Sequence, residues 1–312
     1  MQENKQKMIV VPIDGSENAL TSLDYINRIF GPKHNLRISL LYILPKLPSI
    51  LVEEIRKSKP DINKVQDIEK RNSQMAERIL ADAKDRLMNV GFTKKTVEAV
   101  FRNVNVGVAR DICSWAEKDK KADAIFISSR GRSRLKAFFT GEIANKVLEY
   151  VKVCPVWLVK GRVKHNNVLL AVENSENAMR AVEFAARTFP TEDSITLFHV
   201  LSDSAVLCDM HSPELAEYFV AQQSNFCALE EKKKELVQEA MKSAKDVLME
   251  AGFSEEKIVF KLETKKRGIA RDILKESERG KYDTIVIGRR GLTGIKQFVF
   301  GSVSNKVVKY AQ

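Results

Sequence analysis

Near the end of the chain, Gly288, Gly291 and Gly301, the last followed directly by Ser302, stand at spacings suited to holding an anion, in the stretch GRRGLTGIKQFVFGSVSN. Gly288 and Gly291 follow an apolar run, TIVI, that reads as a strand. Glycine there admits positive φ and lets backbone N–H groups approach a phosphate with no Cβ in the way. After a gap of nine residues, Gly301 and Ser302 open the helical pattern GSVSNKVVKY. A helix start offers unpaired N–H groups and the positive end of its dipole to an anion, and the hydroxyls of Ser302 and Ser304 can add hydrogen bonds. One glycine after a strand signals only a turn. The full spacing, with a strand before it and a helix after it, signals a phosphate cradle.

A sister stretch, SSRGRSRLKAFFTGEIAN, keeps Gly131 and Gly141 but has Ser128 in place of the first glycine and Glu142 in place of the serine. A carboxylate at that helix start sets negative charge against a phosphate, or satisfies the helix N-terminus itself as an internal anion.

The two stretches belong to a repeat of about 160 residues that runs through the chain. MIVVPIDGSENAL is matched by VLLAVENSENAM, VGVARDI by RGIARDI, ADAIFISSRG by YDTIVIGRRG, and LKAFFTGEIANKVLEY by IKQFVFGSVSNKVVKY, in the same order. The chain therefore reads as a tandem duplication, with domains expected over 1–160 and 166–312. Short β-branched runs alternate with long amphipathic stretches in each copy, which predicts βαβ units and a parallel sheet. The strands expected in the first copy are KMIVVPI, RISLLYI, TVEAVF, DAIFIS and PVWLVK; the second gives NVLLAV, SITLFHV, KIVFKL and DTIVI and lacks a fifth. Ser16 is the expected cap of the first helix, and a helix from about Gln66 to Asn89 ends before Gly91. In such sheets ligands settle beyond the carboxyl ends of the strands, which is where both glycine stretches fall.

Composition narrows the classes. With 44% hydrophobic and 30% charged residues the chain is globular, and no apolar run approaches the roughly 18 residues of a membrane span. The net charge of +11 is spread over mixed-sign helical faces such as EEKKKELVQEAMKSAKDVLMEAG, so no specific nucleic-acid partner is expected. Cys113, Cys154, Cys208 and Cys227 are scattered, which fits reduced thiols in a cytoplasmic protein better than a disulfide framework. Cys208 and His211 lack a third metal ligand, His199 in TLFHV reads as a satisfied core histidine, and Arg110 and Arg271 read as helix-start residues.

The chain resembles, over nearly its whole length, the tandem two-domain members of the universal stress protein family, whose ATP-binding branch carries G-x-x-G-x9-G-[S/T]. Gly288, Gly291, Gly301 and Ser302 match that pattern in full. The resemblance implies Rossmann-like α/β domains of strand order 3-2-1-4-5, the second lacking its fifth strand here. It implies that Ile287, Val303 and Ser304 line the triphosphate and ribose region, that Val200 lies against adenine, and that the family carboxylate falls on Asp14 in the first copy and Glu173 in the second. A weaker first-copy site comprises Pro12, Asp14, Ile43, Gly131 and Gly141. The expected ligand is ATP, with Mg²⁺ as an accompanying ion, and the expected role is that of a cytoplasmic, nucleotide-dependent stress-response regulator that pairs its own domains and forms homodimers. A tandem scaffold acting through protein contacts and a slow ATPase are the alternatives. No G-x-S-x-G, Walker A or H-E-x-x-H sequence supports dedicated hydrolase chemistry. The segments after the second strands, with Ile50, Leu51, Val206 and Leu207, differ most between copies and read as packing segments at the carboxyl edge, with a lid or a distinct pocket for a hydrophobic ligand as the alternatives.

Overall fold

A computed structural model describes residues 6–32, 35–58, 62–129, 141–161, 167–201, 216–289 and 301–311. The chain divides into two compact units, Met1–Arg162 and Val163–Ala311.

The first unit contains β1 (Lys7–Pro12), α1 (Glu17–Phe30), β2 (Leu36–Leu44), α2 (Ser49–Ser58), α3 (Ile62–Asn89), β3 (Val97–Asn103), α4 (Val108–Ser114), β4 (Ala124–Ser128), α5 (Glu142–Tyr150) and β5 (Val156–Val159). Its five parallel strands stand in the order β3-β2-β1-β4-β5. The second unit contains β6 (Asn167–Ala171), α6 (Glu176–Thr188), β7 (Ser194–Leu201), α7 (Ala216–Glu250), β8 (Ile258–Thr264), α8 (Ile269–Arg279), β9 (Thr284–Ile287) and α9 (Ser302–Tyr310). Its four parallel strands stand in the order β8-β7-β6-β9, the same arrangement with the fifth position unfilled among the described residues. In each unit helices pack on both faces of the sheet, α1 and α3 opposite α4 and α5, α6 and α7 opposite α8 and α9. No helix among the described residues is long and apolar enough to cross a membrane.

Local sequence chemistry sets the element ends. Ser16 Oγ accepts the Ala19 N–H at 3.2 Å, and Ser175 Oγ accepts the Ala178 N–H at the same distance, so α1 and α6 start on equivalent serine caps. Helix α3 starts ahead of the expected Gln66, at Ile62, and ends as expected before Gly91. Gly91 has φ +104°, the Phe92 N–H reaches back to Leu87 O at 3.1 Å, and the Gly91 N–H bonds Met88 O at 3.0 Å. This is a Schellman closure, and Gly252, with φ +101°, closes α7 the same way through Phe253 and Leu248.

The two copies diverge beneath their third strands. From Arg110 to Lys121 the first copy is one residue longer than the second from Arg271 to Lys281, and both lysines end the segment at positive φ, 48° and 53°. The extra residue is absorbed by a π-helical turn over Trp115–Asp119. Trp115 thereby turns its indole N–H onto Ser39 Oγ at 3.1 Å, with Arg102 and Lys120 stacked on its ring. The second copy has Glu276 there instead. Its side chain is 1% exposed and is held by Lys261 Nζ and by the Arg279 guanidinium, each at 2.5 Å. Removing Glu276 takes the buried carboxylate from both cations, of which Arg279 keeps Glu263 and both are partly exposed. Glu276→Ala is expected to destabilise the second unit by about 2 kcal/mol through its lost charge-assisted hydrogen bonds, read as a lowered transition in calorimetric unfolding, whereas the first unit's transition stays in place.

Candidate nucleotide-binding edge

The carboxyl edge of the second sheet collects the ends of β6, β7 and β9 and the start of α9. The start of α9 is open. Gly301, the capping residue, has no side chain to bond the first turn, and that turn contains no acidic residue. Its first N–H groups therefore face outward with the positive end of the helix dipole behind them. The Gly301 N–H donates to Arg289 O at 3.0 Å, which closes the neck of the loop between β9 and α9. Gly291 and Arg290 within that loop, and Gly131 in its counterpart, lie outside the described residues.

Gly288 departs from its expected role. It does not adopt positive φ. Its requirement for glycine is one of space: a Cβ would stand 3.2 Å from Asn177 O and 3.4 Å from the Ala178 nitrogen, against the first turn of α6. Ser304 differs as well. Its side chain is buried, and Oγ donates its single hydroxyl proton to the Gly288 carbonyl at 2.7 Å. That proton is committed within the protein, so the Ser304 hydroxyl holds the end of β9 against α9 instead of donating to a phosphate oxygen. Ser302 is exposed at the first helical position.

Beneath the helix start lies an apolar floor. Val200 is buried in one cluster with Leu169, Phe198, Ala270, Ile273 and Val307, and Ile287 and Val303 pack half-buried against it. Three of the residues expected around the base and ribose are thus brought together. In the first unit Ile43 packs equivalently against the cluster containing Val10, Leu41, Ile127 and Ala144.

The acids after the first strands are held differently. Asp14 Oδ1 accepts both the Ser16 N–H at 3.0 Å and the Ser16 hydroxyl at 2.6 Å, a turn that Gly15 completes at φ +77°. Pro12, half-buried at the end of β1, leads into it. Asn174 replaces that glycine and has no positive φ, so the Ser175 N–H turns to the Glu173 main-chain carbonyl at 2.7 Å and only the Ser175 hydroxyl reaches Glu173 Oε1, at 3.0 Å. His199 Nδ1 donates to Val172 O at 2.7 Å, and burial holds the imidazole below its ordinary pKa.

The first unit repeats the backbone with other side chains. Gly141 and Gly301 share a conformation, φ −58° in both, and the Gly141 N–H likewise donates to Ser129 O. Glu142, which could oppose a phosphate or satisfy the helix N-terminus, stands in the first turn of α5. It is ion-paired along the helix with Lys146 at 2.5 Å, and that hydrogen bond holds its carboxyl below the usual range. Ala144 stands where Ser304 does, so the hydroxyl latch is missing, and Ser128 stands where Gly288 does.

The other candidates do not join the site. Arg110 stacks on Tyr150 between α4 and α5, and Arg271 is exposed. Cys113 and Cys154 are buried thiols, and burial pushes Cys154 up to about 12. Ile50 is exposed on α2, while Cys208, His211, Val206 and Leu207 lie outside the described residues. Among the described residues no group of three or more His, Cys, Asp or Glu side chains is placed to hold a metal ion. Sequence spacing found the helix start and the glycines but missed the Ser304 latch and the Asn177 wall, which no local pattern announces.

The profile of the universal stress protein family matches residues 6–160 and again 164–312. Among solved structures, a universal stress protein from Archaeoglobus fulgidus DSM 4304 aligns with 99% of this chain and 96% of its own, at 21% identity and a TM-score of 0.62. A functionally unknown protein from Pseudomonas aeruginosa PAO1 aligns with 98% of this chain and 90% of its own, at 14% identity and a TM-score of 0.53. A universal stress protein solved in complex with cAMP covers 49% of this chain and 95% of its own, at 20% identity and a TM-score of 0.32. Comparison with curated proteins gives no significant match.

Two outcomes follow from the geometry. Ser304→Ala is expected to fold, since Ala144 occupies the equivalent place, but to cost about 1 kcal/mol through the lost bond to Gly288, measured by urea unfolding. Because the folded state lowers the His199 pKa, the unfolded chain takes up the proton first as pH falls below about 6.5. Stability of the second unit is therefore present above that pH and declines from pH 7 to pH 5, and His199→Gln should flatten this dependence in thermal scans.

Proposed function

The chain belongs to the universal stress protein family, and from that premise we propose that its second unit binds ATP or a related adenine nucleotide and acts as a nucleotide-dependent regulator. The observation that carries this reading is the start of α9: a glycine cap, no acidic residue in the first turn, and first-turn N–H groups with no side-chain cap among the described residues, near a β9 end that carries no side chain at Gly288. Gly288, Gly291, Gly301 and Ser302 hold the phosphates, the last through its hydroxyl and main-chain N–H. Val200, Ile287 and Val303 receive the base and ribose on an apolar surface, and Ser304 fixes the cradle's shape. Glu173 keeps one carboxylate oxygen outside its turn bond, suited to a ribose hydroxyl or to Mg²⁺ accompanying the nucleotide.

The first unit acts as the non-binding partner in this reading. Its Pro12, Asp14, Ile43, Gly131 and Gly141 retain the outline, but Glu142 sets an ionised carboxylate at the helix position where the second unit has Ser302. A phosphate approaching there meets like charge in place of donors. Domain pairing, homodimer formation and a cytoplasmic setting belong to the same proposal, on the support of the duplicated fold.

Calorimetric titration of the full chain with ATP and Mg²⁺ tests the reading. One site per chain is expected, with Ser302→Glu weakening it by about tenfold or more while leaving the thermal transitions unchanged. Absence of binding heat, or equal affinity in the variant, defeats it.

A further inference from the structure

Strand β8 is the outer strand of the second sheet, and its free edge is apolar. Val259, Phe260 and Leu262 are 46%, 44% and 43% exposed, with Val259 on one face of the strand and the other two on the opposite face. The Lys265 N–H bonds Leu201 O on the β7 side at 2.8 Å. Main-chain groups alternate sides along a strand, so those of Phe260 and Leu262 point away from the sheet, where no strand among the described residues receives them. Charged side chains commonly guard such edges. Here the two charges within β8 are drawn aside onto α8, Lys261 by Glu276 and Glu263 by Arg279.

The first unit finishes the same edge differently. Val97 and Ile258 hold equivalent places, paired with Ile38 and Ile195, so Glu98, Ala99 and Phe101 stand where Val259, Phe260 and Leu262 do. All three are half-buried. The loops that follow take one path: Asp272 accepts the N–H groups of Lys266 and Arg267 at 3.0 and 3.2 Å, as Asp111 accepts those of Asn105 and Val106 at 2.7 and 3.2 Å. The charges at the two ends differ. Strand β8 follows Glu255, Glu256 and Lys257, exposed in a 3₁₀ turn, and leads into Lys265, Lys266 and Arg267. Strand β3 follows Lys94 and Lys95 and leads into the uncharged Val104, Asn105 and Val106. An edge with carboxylates before it and cations after it complements itself when reversed, and the β3 edge does not.

We propose that β8 is the surface on which two copies of this chain associate, each β8 pairing antiparallel with the other about a two-fold axis at Phe260. A second copy is the occupant because the edge is its own complement, and a two-fold axis uses one patch twice. In this register the two Phe260 rings face each other and Ile258 faces the partner's Leu262, which covers the apolar side chains. The two Phe260 residues exchange main-chain bonds, and the Leu262 N–H donates to the carbonyl of the partner's Ile258. Lys257 comes opposite the partner's Glu263, and Glu255 opposite the partner's Lys265. Moving the axis to Lys261 would instead set Lys261 against itself and Lys257 against Lys265, and like charges directly opposite destabilise a strand pair. The inference gives the homodimer of the reading above a surface and does not require nucleotide.

Sedimentation equilibrium of the full chain without nucleotide, from about 1 to 100 µM, tests the pairing. A monomer–dimer equilibrium with a Kd on the order of 10 µM is expected. The double variant Val259→Glu, Phe260→Ala installs residues that the first unit carries on the same backbone, so it is expected to fold and to raise the Kd about tenfold or more. Lys257→Glu alone should raise it about tenfold by setting two like-charge pairs across the axis. Adding Glu263→Gln, which removes the opposing charge and keeps an acceptor for Arg279, should recover most of that loss. A chain that is monomeric throughout the range overturns this inference and the homodimer with it, and leaves the nucleotide reading in place. A dimer that survives Val259→Glu, Phe260→Ala, or one that Lys257→Glu leaves unchanged, overturns the β8 surface alone.

Discussion

The hydrogen bond from Ser304 Oγ to the Gly288 carbonyl ties the start of α9 to the end of β9. Every strand in both sheets runs parallel to its neighbours, so all the loops that follow strands emerge at one edge. Emergence at one edge does not by itself form a site. The chain leaving β9 must return and present a helix start to the place where β9 ended. Two bonds impose that return: Ser304 to Gly288, and the Gly301 N–H to Arg289 O. Gly288 lets the end of β9 lie against the first turn of α6, where a Cβ would stand 3.2 Å from Asn177 O.

The duplication supplies an internal comparison in which backbone is held nearly constant. Gly141 and Gly301 start their helices with the same φ, and the serine caps, Schellman closures and aspartate-bound loops before α4 and α8 recur in both units. What varies is side-chain chemistry placed on that frame. Ser128, Glu142 and Ala144 in the first unit replace Gly288, Ser302 and Ser304 in the second, and Val104–Val106 replaces Lys265–Arg267. Two of these exchanges alter charge, a carboxylate at Glu142 against a hydroxyl at Ser302 and an uncharged Val104–Val106 against the cations of Lys265–Arg267. The packing beneath has diverged as well, with an indole under two cations in one unit and a buried carboxylate under two cations in the other.

Much of this was legible in the residues alone. Alternation of β-branched runs with amphipathic stretches gave four strands of the second sheet and five of the first, because hydrophobic periodicity is what the parallel sheet must satisfy. Ser16 and Gly91 were readable because capping is a local event, settled within a few residues. Gly288 was readable as important but for a different physical reason: its partner, Asn177, is distant in sequence, and only the folded sheet makes them neighbours. Ser304 shows the same limit. Its hydroxyl was expected to face a ligand, and a contact between strand end and helix interior captured it. The Glu142 carboxylate was legible as a negative charge at a helix start, but its pairing with Lys146 depended on a choice of rotamer.

The acids after β1 and β6 show how a conservative exchange can alter a site through its neighbour. Asp14 is held by two bonds from Ser16 because Gly15 can take positive φ and bring the main-chain N–H beneath the carboxylate. Asn174 does not make that turn, so Ser175 directs its N–H to the Glu173 carbonyl and leaves the carboxylate with a single hydroxyl bond. The extra methylene of Glu173 then lengthens a side chain that is less firmly tied. The aspartate in the first unit takes two bonds from Ser16, in a unit whose α5 starts on Glu142. The glutamate in the second unit takes one, in a unit whose α9 has no acidic residue in its first turn. Glycine at position 15 and asparagine at position 174, neither of them an anion binder, thus determine which of the two carboxylates is left available.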